Sequence, residues 1–317
     1  MTKQKIIKVG TDCSGIEAPI KALEQLGIPF KHAFSSEIDK YCIQSIKANY
    51  DSEIIFGDPE GPYPEGDITK RDINAVPDID LYVSGFPCQP FSAAGLKKGF
   101  DDKRGNVFWS CLEVIRTKKP SSFVLENVRA LLWHDKPKDS PRGSYGKTWN
   151  TIWDSLSELK KDGYDVQWKL MNTRDYGIPQ NRQRIYIVGT KKGVFKWPEK
   201  TEYRRTLKDC VDYDTPGGKS TSEKLKAYID RFPTCSFADV CQSQYGNSCN
   251  EEYSPCITAS NSLWCIPMSR YACTNELLAL QGFESFNNVV SNAQMKKQLG
   301  NSMSVNVLEE IFKNLLI

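Results

Sequence analysis

The 317-residue chain has no run of eighteen apolar residues, so no transmembrane helix is predicted. The residues after Met1 lead directly into a predicted strand at Ile6, without the apolar segment of a secretory signal. We therefore expect a soluble, cytoplasmic protein with no membrane partner. In that setting its eleven cysteines should be reduced thiols rather than a disulfide framework.

A strong excess of charge of either sign is also lacking. The 42 lysines and arginines exceed the 39 acidic residues by three, which does not by itself indicate a nucleic-acid partner. Any basic surface must therefore be local. The length suits one large domain, or one and a half, with a substantial hydrophobic core.

Histidine is scarce, with two in the chain and none in residues 191–269, where six of the eleven cysteines lie. Structural zinc sites favour ligand pairs about two to four residues apart. The closest pair in this segment, Cys235 and Cys241, is spaced more widely. A metal site is therefore not predicted.

What the chain does contain is an alternation of apolar strands and amphipathic helices, which predicts a mainly parallel, doubly wound α/β sheet. The predicted strands are residues 6–11, 32–36, 80–84, 122–126, 166–171 and 184–189, and the predicted helices are 19–26, 39–49, 105–118, 148–161 and 303–316. The alternation stops near residue 191 and a helical pattern returns at residue 270. We predict one domain from residues 1–190 and 270–317, and a small irregular domain from residues 191–269.

Two features at the ends of the first two strands indicate a nucleotide-like ligand. Gly15 lies in the tight turn after the first strand, where the backbone can approach a ligand and the next helix offers free N–H groups. Glu37 ends the second strand about twenty residues later, where nucleotide-binding α/β folds place a carboxylate on the ribose hydroxyls. The alternative is that Glu37 is a solvated acid that caps the following helix.

Cys88 follows the strand at residues 80–84, which Gly85 ends and Pro87 stiffens. Its thiol should project from the carboxyl edge of the sheet, where open α/β sheets bind their ligands. A lone cysteine is more often a small buried hydrophobe. A role as nucleophile therefore requires nearby groups that can activate it.

Such groups follow in a definite order. Pro87-Cys88-Gln89, Glu126-Asn127-Val128 and the Gln-Asn-Arg-Gln-Arg run at residues 180–184 resemble three motifs of the cytosine-C5 DNA methyltransferases. Residues 280–283 (Leu-Gln-Gly-Phe) and 300–302 (Gly-Asn-Ser) extend the resemblance over nearly the whole chain. Each short motif is weak alone, but their order makes the match strong.

The resemblance implies a Rossmann-like fold with a doubly wound mixed sheet, S-adenosylmethionine as cofactor, and a cytosine flipped out of double-stranded DNA as substrate. It implies that Cys88 attacks C6, that Glu126 meets N3, and that Arg184 holds O2 with Arg182 in support. Because Glu126 ends a buried strand, its pKa should be raised, which suits a proton donor.

The resemblance also implies a cofactor site and DNA contacts. The implied cofactor residues are Cys13, Ser14, Gly15, Ile16, Glu37, Ile38, Asp67, Ile68, Pro87, Asn301 and Ser302. The implied or candidate DNA contacts are Ser92 and Arg104, in a loop beside the nucleophile, and Gln242, Gln244 and Asn247, whose amides could read base edges in a target-recognition domain. Each of these five could instead be a plain surface residue, and residues 300–302 could simply cap a helix.

The first turn departs from the family pattern. Thr11, Asp12 and Cys13 stand where the family has an aspartate before an aromatic residue, and Glu17 and Ala18 stand where it commonly has glycine. The amino-acid end of the cofactor could therefore be held differently.

Two alternatives to a DNA methyltransferase remain open. A branch of the same family methylates cytosine in tRNA, but it generally lacks a full recognition domain, so the roughly eighty residues from 191 favour DNA. A non-catalytic DNA-binding relative is the other, and the retention of Cys88, Glu126 and both arginines argues against it. We expect a monomer of bacterial or phage origin, with a cognate restriction endonuclease as a further partner.

Overall fold

The computed structural model describes residues 6–87, 107–218, 223–241, 248–260 and 263–317. Its main feature is a seven-stranded sheet of order β3-β2-β1-β4-β5-β7-β6. The strands are β1 (Ile7–Asp12), β2 (Phe30–Ser36), β3 (Ile55–Phe56), β4 (Leu81–Ser84), β5 (Ser122–Val128), β6 (Asp165–Asn172) and β7 (Gln183–Thr190). The first five pair in parallel and β7 runs antiparallel to both of its neighbours. The expected mixed sheet is confirmed.

Helices cover both faces of this sheet. The α-helices of the described residues are α1 (Ala18–Gln25), α2 (Lys40–Asn49), α3 (Val107–Lys118), α4 (Lys147–Ser157), α5 (Glu223–Arg231), α6 (Thr274–Gln281), α7 (Asn292–Asn301) and α8 (Val305–Leu316). Alternate residues of β4 show the double burial, since Val83 joins the core under α1 and α8 while Tyr82 joins the core under α3 and α4. A sheet that is buried on both faces explains the apolar runs of its central strands, Leu-Tyr-Val in β4 and Phe-Val-Leu in β5.

The helix predictions hold, with shifted boundaries. The helix expected over residues 148–161 ends at Ser157 and continues as a 3₁₀ turn to Asp162. Helices α5 and α7 were not predicted, and residues 300–302 close α7 rather than begin the next helix. None of the helices in the described ranges is long and apolar enough to cross a membrane.

A second, smaller sheet has two strands within the region predicted as a recognition domain and a third just beyond its predicted end at residue 269. Its antiparallel strands are β8 (Phe237–Asp239), β9 (Leu263–Cys265) and β10 (Arg270–Tyr271). Cys235, Ala238, Val240, Trp264 and Ile266 form a separate small core beside it. Phe195, Leu207, Cys210 and Val211, by contrast, pack into the main core. The boundary at residue 191 stays a prediction, and the separate core involves residues further along the chain.

A buried ion pair connects the end of β1 to the loop before β4. The Arg71 guanidinium donates to both carboxylate oxygens of Asp12, at 2.6 and 2.8 Å, and Tyr82 Oη donates to Asp12 Oδ2 at 2.6 Å. Removing one member of such a pair leaves an uncompensated buried charge, at a cost of about 3–5 kcal/mol. The pair therefore holds the loop that contains Asp67 close to the turn after β1.

Candidate active site

The parallel strands β1, β2, β4 and β5 all end at one edge of the sheet. Cys13 to Ile16 follow β1, Glu37 and Ile38 follow β2, Pro87 follows β4, and Glu126 lies near the end of β5. Open α/β sheets bind ligands at this edge because loops from several strands converge there. The fold thus gathers segments that are more than a hundred residues apart in the chain.

Glu37 is held by backbone donors on both sides. The Gly15 N–H donates to Glu37 Oε2 at 2.8 Å, and the Ile38 and Asp39 N–H groups donate to Oε1 at 2.8 and 3.0 Å. These bonds fix the carboxylate against the turn after β1. Ile38 beside it is 75% exposed, which leaves an apolar surface next to an ordered carboxylate.

Asp67 lies in a loop that packs against the same place. A Cβ atom at Gly66 would come within 2.2 Å of the Glu37 carbonyl oxygen, so only glycine permits this approach. Burial opposes ionisation of Asp67, but hydrogen bonds from Thr69 and the charge of Lys70 outweigh it and lower its pKa. Asp67 is therefore a half-exposed carboxylate that directly follows the glycine in contact with Glu37, and Ile68 beside it is buried.

The departure from glycine at Glu17 has a structural explanation. Glu17 adopts a left-handed backbone conformation, φ 58°, directly before α1, and its side chain is fully buried. Its Oε1 accepts hydrogen bonds of 2.6 Å from the hydroxyls of both Thr11 and Ser35. A carboxylate thus reaches the base of the turn from position 17. Glu17 was not among the predicted site residues, although the departures from the family pattern at Thr11 and Glu17 pointed to this place.

The turn that leads to Cys88 lies over Glu126. Asn127 Nδ2 donates to the Phe86 carbonyl oxygen at 2.7 Å, and a Cβ atom at Gly85 would lie 3.6 Å from Glu126 Oε2. Asn127 was noted only as part of a motif, and its contact shows that it positions this turn. Pro87 is exposed, and Cys88 lies outside the described residues.

Glu126 is 7% exposed, and burial raises its pKa, although the charges of Arg184 and Arg182 act in the opposite direction. Arg184 Nε lies 3.2 Å from Glu126 Oε1, but no described residue donates a hydrogen bond to that oxygen. A buried acceptor without a hydrogen-bond donor is uncommon, and a catalytic role is one explanation for it. The expectation of a raised pKa is confirmed.

Arg182 is arranged differently from Arg184. Its side chain is buried, Nη1 donates to the Ile257 carbonyl at 2.7 Å, and Nη2 donates to the Gly300 and Ser302 carbonyls at 3.1 and 2.6 Å. Because burial disfavours its charged form, the pKa of Arg182 is lowered. These contacts make Arg182 a link between chain segments, whereas Arg184 donates to the carbonyl of the adjacent Gln183 at 2.8 Å and lies beside Glu126.

The segments that Arg182 joins are packed without space between them. A Cβ atom at Gly300 would lie 2.2 Å from the backbone at Thr258 and Ala259. Gln180 connects the same segments. It donates to the Leu280 carbonyl at 2.7 Å and accepts from the Ile257 N–H at 3.1 Å. The two motifs near the carboxyl terminus thus contact the basic motif and the end of the recognition region.

The remaining predicted residues divide into two groups. Helix α7 packs beside α2 through a Lys297–Asp39 ion pair of 2.9 Å; at its end Asn301 is exposed and Ser302 is buried. The other predicted residues, Ser92, Arg104, Gln242, Gln244 and Asn247, lie outside the described residues. Within the described ranges, no three His, Cys, Asp or Glu residues group to hold a metal ion.

Comparison with known proteins identifies the family. A model of C-5 cytosine-specific DNA methylases matches residues 12–316. The type II methyltransferase M.NgoBI of Neisseria gonorrhoeae is 36% identical over 88% of this chain and 84% of its own length. For M.NlaX of Neisseria lactamica the identity is also 36%, over 97% of this chain and 94% of that protein.

Solved structures share the fold at low identity. A putative DNA modification methyltransferase encoded within an E. coli prophage is 18% identical with a TM-score of 0.69, over 98% of each chain. The S. pombe Dnmt2 methyltransferase is 18% identical with a TM-score of 0.67, also over 98% of each chain. With the motifs gathered at one edge of a mixed sheet and a family match over nearly its full length, the chain belongs to the C-5 cytosine-specific DNA methylases.

Proposed function

We propose that this protein transfers a methyl group from S-adenosylmethionine to C5 of a cytosine flipped out of a specific short sequence in double-stranded DNA. Membership of the methylase family supports this activity. The observation that carries the residue assignment is Glu126, a buried acid of raised pKa with an uncommitted oxygen, lying beside Arg184 and beneath the turn to Cys88.

The chemistry explains why these groups must meet. Cytosine C5 is a weak nucleophile until a thiolate adds at C6 and turns the ring into an enamine. In the proposed mechanism Cys88 supplies that thiolate, Glu126 donates to N3, and Arg184 holds O2. C5 of the enamine then takes the methyl group, and a base removes the C5 proton so that the thiolate is eliminated from C6. Asn127 keeps the turn to Cys88 in place through the Phe86 carbonyl.

The pocket that we propose for the cofactor lies between β1, β2 and the Asp67 loop. Glu37 would meet the ribose hydroxyls, Asp67 the adenine amino group, and the exposed side chain of Ile38 the face of the adenine ring. The ordered carboxylate and the 75% exposed Ile38 fit such a group. S-adenosylmethionine, when bound, supplies the methyl group that is transferred.

Sequence specificity is proposed to reside in the irregular region within residues 191–269. The small sheet β8–β10 and its own core form a unit on which reading loops could be mounted. Gln242, Gln244 and Asn247 remain the candidates for base contacts. A monomer acting beside a cognate restriction endonuclease stays part of this proposal.

The activity is tested by incubating the protein with tritiated S-adenosylmethionine and either mixed genomic DNA or total tRNA. We expect label in DNA, and bisulfite sequencing of that DNA should then give the methylated sequence. Label in tRNA alone would favour the tRNA branch of the family. Absence of label in both, from protein that binds the cofactor, would support a non-catalytic DNA-binding relative.

Substitution of Glu126 by glutamine tests the proton donor. An amide can still hydrogen-bond to N3 but cannot transfer a proton, so the single-turnover rate should fall about a hundredfold or more. The wild-type rate should also lose its Glu126 contribution as the pH rises through the raised pKa, because the carboxylate form cannot donate. DNA and cofactor affinities should change little. A loss of binding with an unchanged saturating rate would make Glu126 structural.

The two arginines should separate stability from rate. Arg182→Met removes the guanidinium donor to the Ile257 and Gly300 carbonyls and leaves the Ser302 carbonyl only a 3.4 Å bond from Gln281. At about 1–3 kcal/mol for each buried unsatisfied group, the urea midpoint should fall markedly. Arg184→Met should lower the methyl-transfer rate with a midpoint near wild type, because Glu126 can take up a proton when its cationic neighbour is removed. Equal losses of stability in both variants would contradict this division.

A further inference from the structure

A second arginine at the catalytic edge has no role in the mechanism above. Arg129 begins the 3₁₀ turn Arg129–Trp133, directly after β5, three positions beyond Glu126. Its Nη1 donates to Gln183 Oε1 at 2.8 Å, and Gln183 is the neighbour of Arg184. Arg129 therefore lies at the same edge of the sheet as the proposed cytosine site.

The side chain is ordered but its charge is not neutralised. The Arg129 guanidinium carbon lies 5.0 Å from the centre of the Trp133 ring, within the range of a cation–π interaction. Arg129 is exposed, and Trp133 is 41% exposed. In the described ranges no carboxylate pairs with Arg129, whereas Arg116, Arg204 and Arg270 each have a carboxylate partner.

This combination is informative about the partner. Holding an exposed arginine in one orientation costs side-chain entropy, which a surface ion pair would normally offset in part. In this protein the Trp133 ring and the Gln183 amide oxygen hold the Arg129 side chain in place, and neither neutralises its charge. A planar guanidinium with free N–H groups is well suited to phosphate oxygens.

We infer that Arg129 is a DNA phosphate contact that positions the backbone beside the flipped cytosine, with Trp133 and Gln183 holding its side chain in place. This inference rests on the proposed DNA methyltransferase function. A flipped base at Glu126 and Arg184 brings its own backbone to this edge, where the unneutralised charge of Arg129 is available to a phosphate.

The test measures DNA binding as a function of salt. A fluorescein-labelled duplex carrying the sequence that the enzyme methylates is titrated with protein in S-adenosylhomocysteine, from low to moderate salt. Each neutralised phosphate contributes about 0.9 to the slope of log affinity against log salt concentration. Arg129→Gln should therefore flatten the slope by about 0.9 and weaken low-salt binding about tenfold. Arg129→Lys, which keeps the charge, should retain the slope.

Arg116→Gln is the matched control. Arg116 is also partly exposed, but it pairs with Glu158 at 2.9 Å and lies in the last turn of α3, which leads to the opposite edge of the sheet. Its slope should equal that of wild type. In turnover assays Arg129→Gln should raise KM for DNA and leave kcat and cofactor binding unchanged. The lost phosphate contact stabilises the bound DNA and the transition state equally, so its removal does not slow the saturated enzyme.

Several results would overturn the inference. An unchanged slope for Arg129→Gln in an enzyme whose wild type methylates DNA would refute the phosphate contact and leave the function intact. Equal flattening in Arg116→Gln would show a general effect of net charge. Failure of the wild type to methylate or bind DNA would remove the proposed function and the contact together.

Discussion

The hydrogen bonds of the Arg182 guanidinium are the constraint on which the site depends most. They join the basic motif on the approach to β7 to the carbonyls of residues 257, 300 and 302, three parts of the chain that are distant in sequence. A buried cation that serves three acceptors cannot shift without leaving them unsatisfied. Arg184 lies two residues further on, in β7. Because the Arg182 contacts fix the start of β7, they also fix the position of Arg184 beside Glu126.

The edge of the sheet supplies the other half of the arrangement. Glu37, the turn to Cys88 and Glu126 follow parallel strands, so chain direction alone brings them together. Glycines at positions 66 and 300 then let backbone segments touch where any side chain would collide. Asn127 and Gly15 connect neighbouring loops by single hydrogen bonds to a carbonyl and a carboxylate.

Much of this could be predicted because it depends on local pattern. Six strands of the main sheet and the raised pKa of Glu126 follow from apolar runs that end on polar residues, and most helices follow from amphipathic patterns. The two-residue strand β3 and the short strands β8–β10 were not predicted. The distinction between Arg182 and Arg184 could not be predicted, since both occur in one short motif and only their distant partners separate them. Glu17 was hidden for a similar reason: its partners Thr11 and Ser35 lie on different strands, and its conformation is one that usually belongs to glycine.

The most direct test of the account is covalent trapping on a duplex in which 5-fluorocytosine replaces the methylated cytosine. Fluorine cannot leave as a proton, so the adduct between the enzyme and C6 should persist after methyl transfer. We predict a complex that survives a denaturing gel with the wild-type protein and S-adenosylmethionine, and none with Cys88→Ser. Absence of that complex from an enzyme that methylates the ordinary duplex would contradict nucleophilic attack by Cys88.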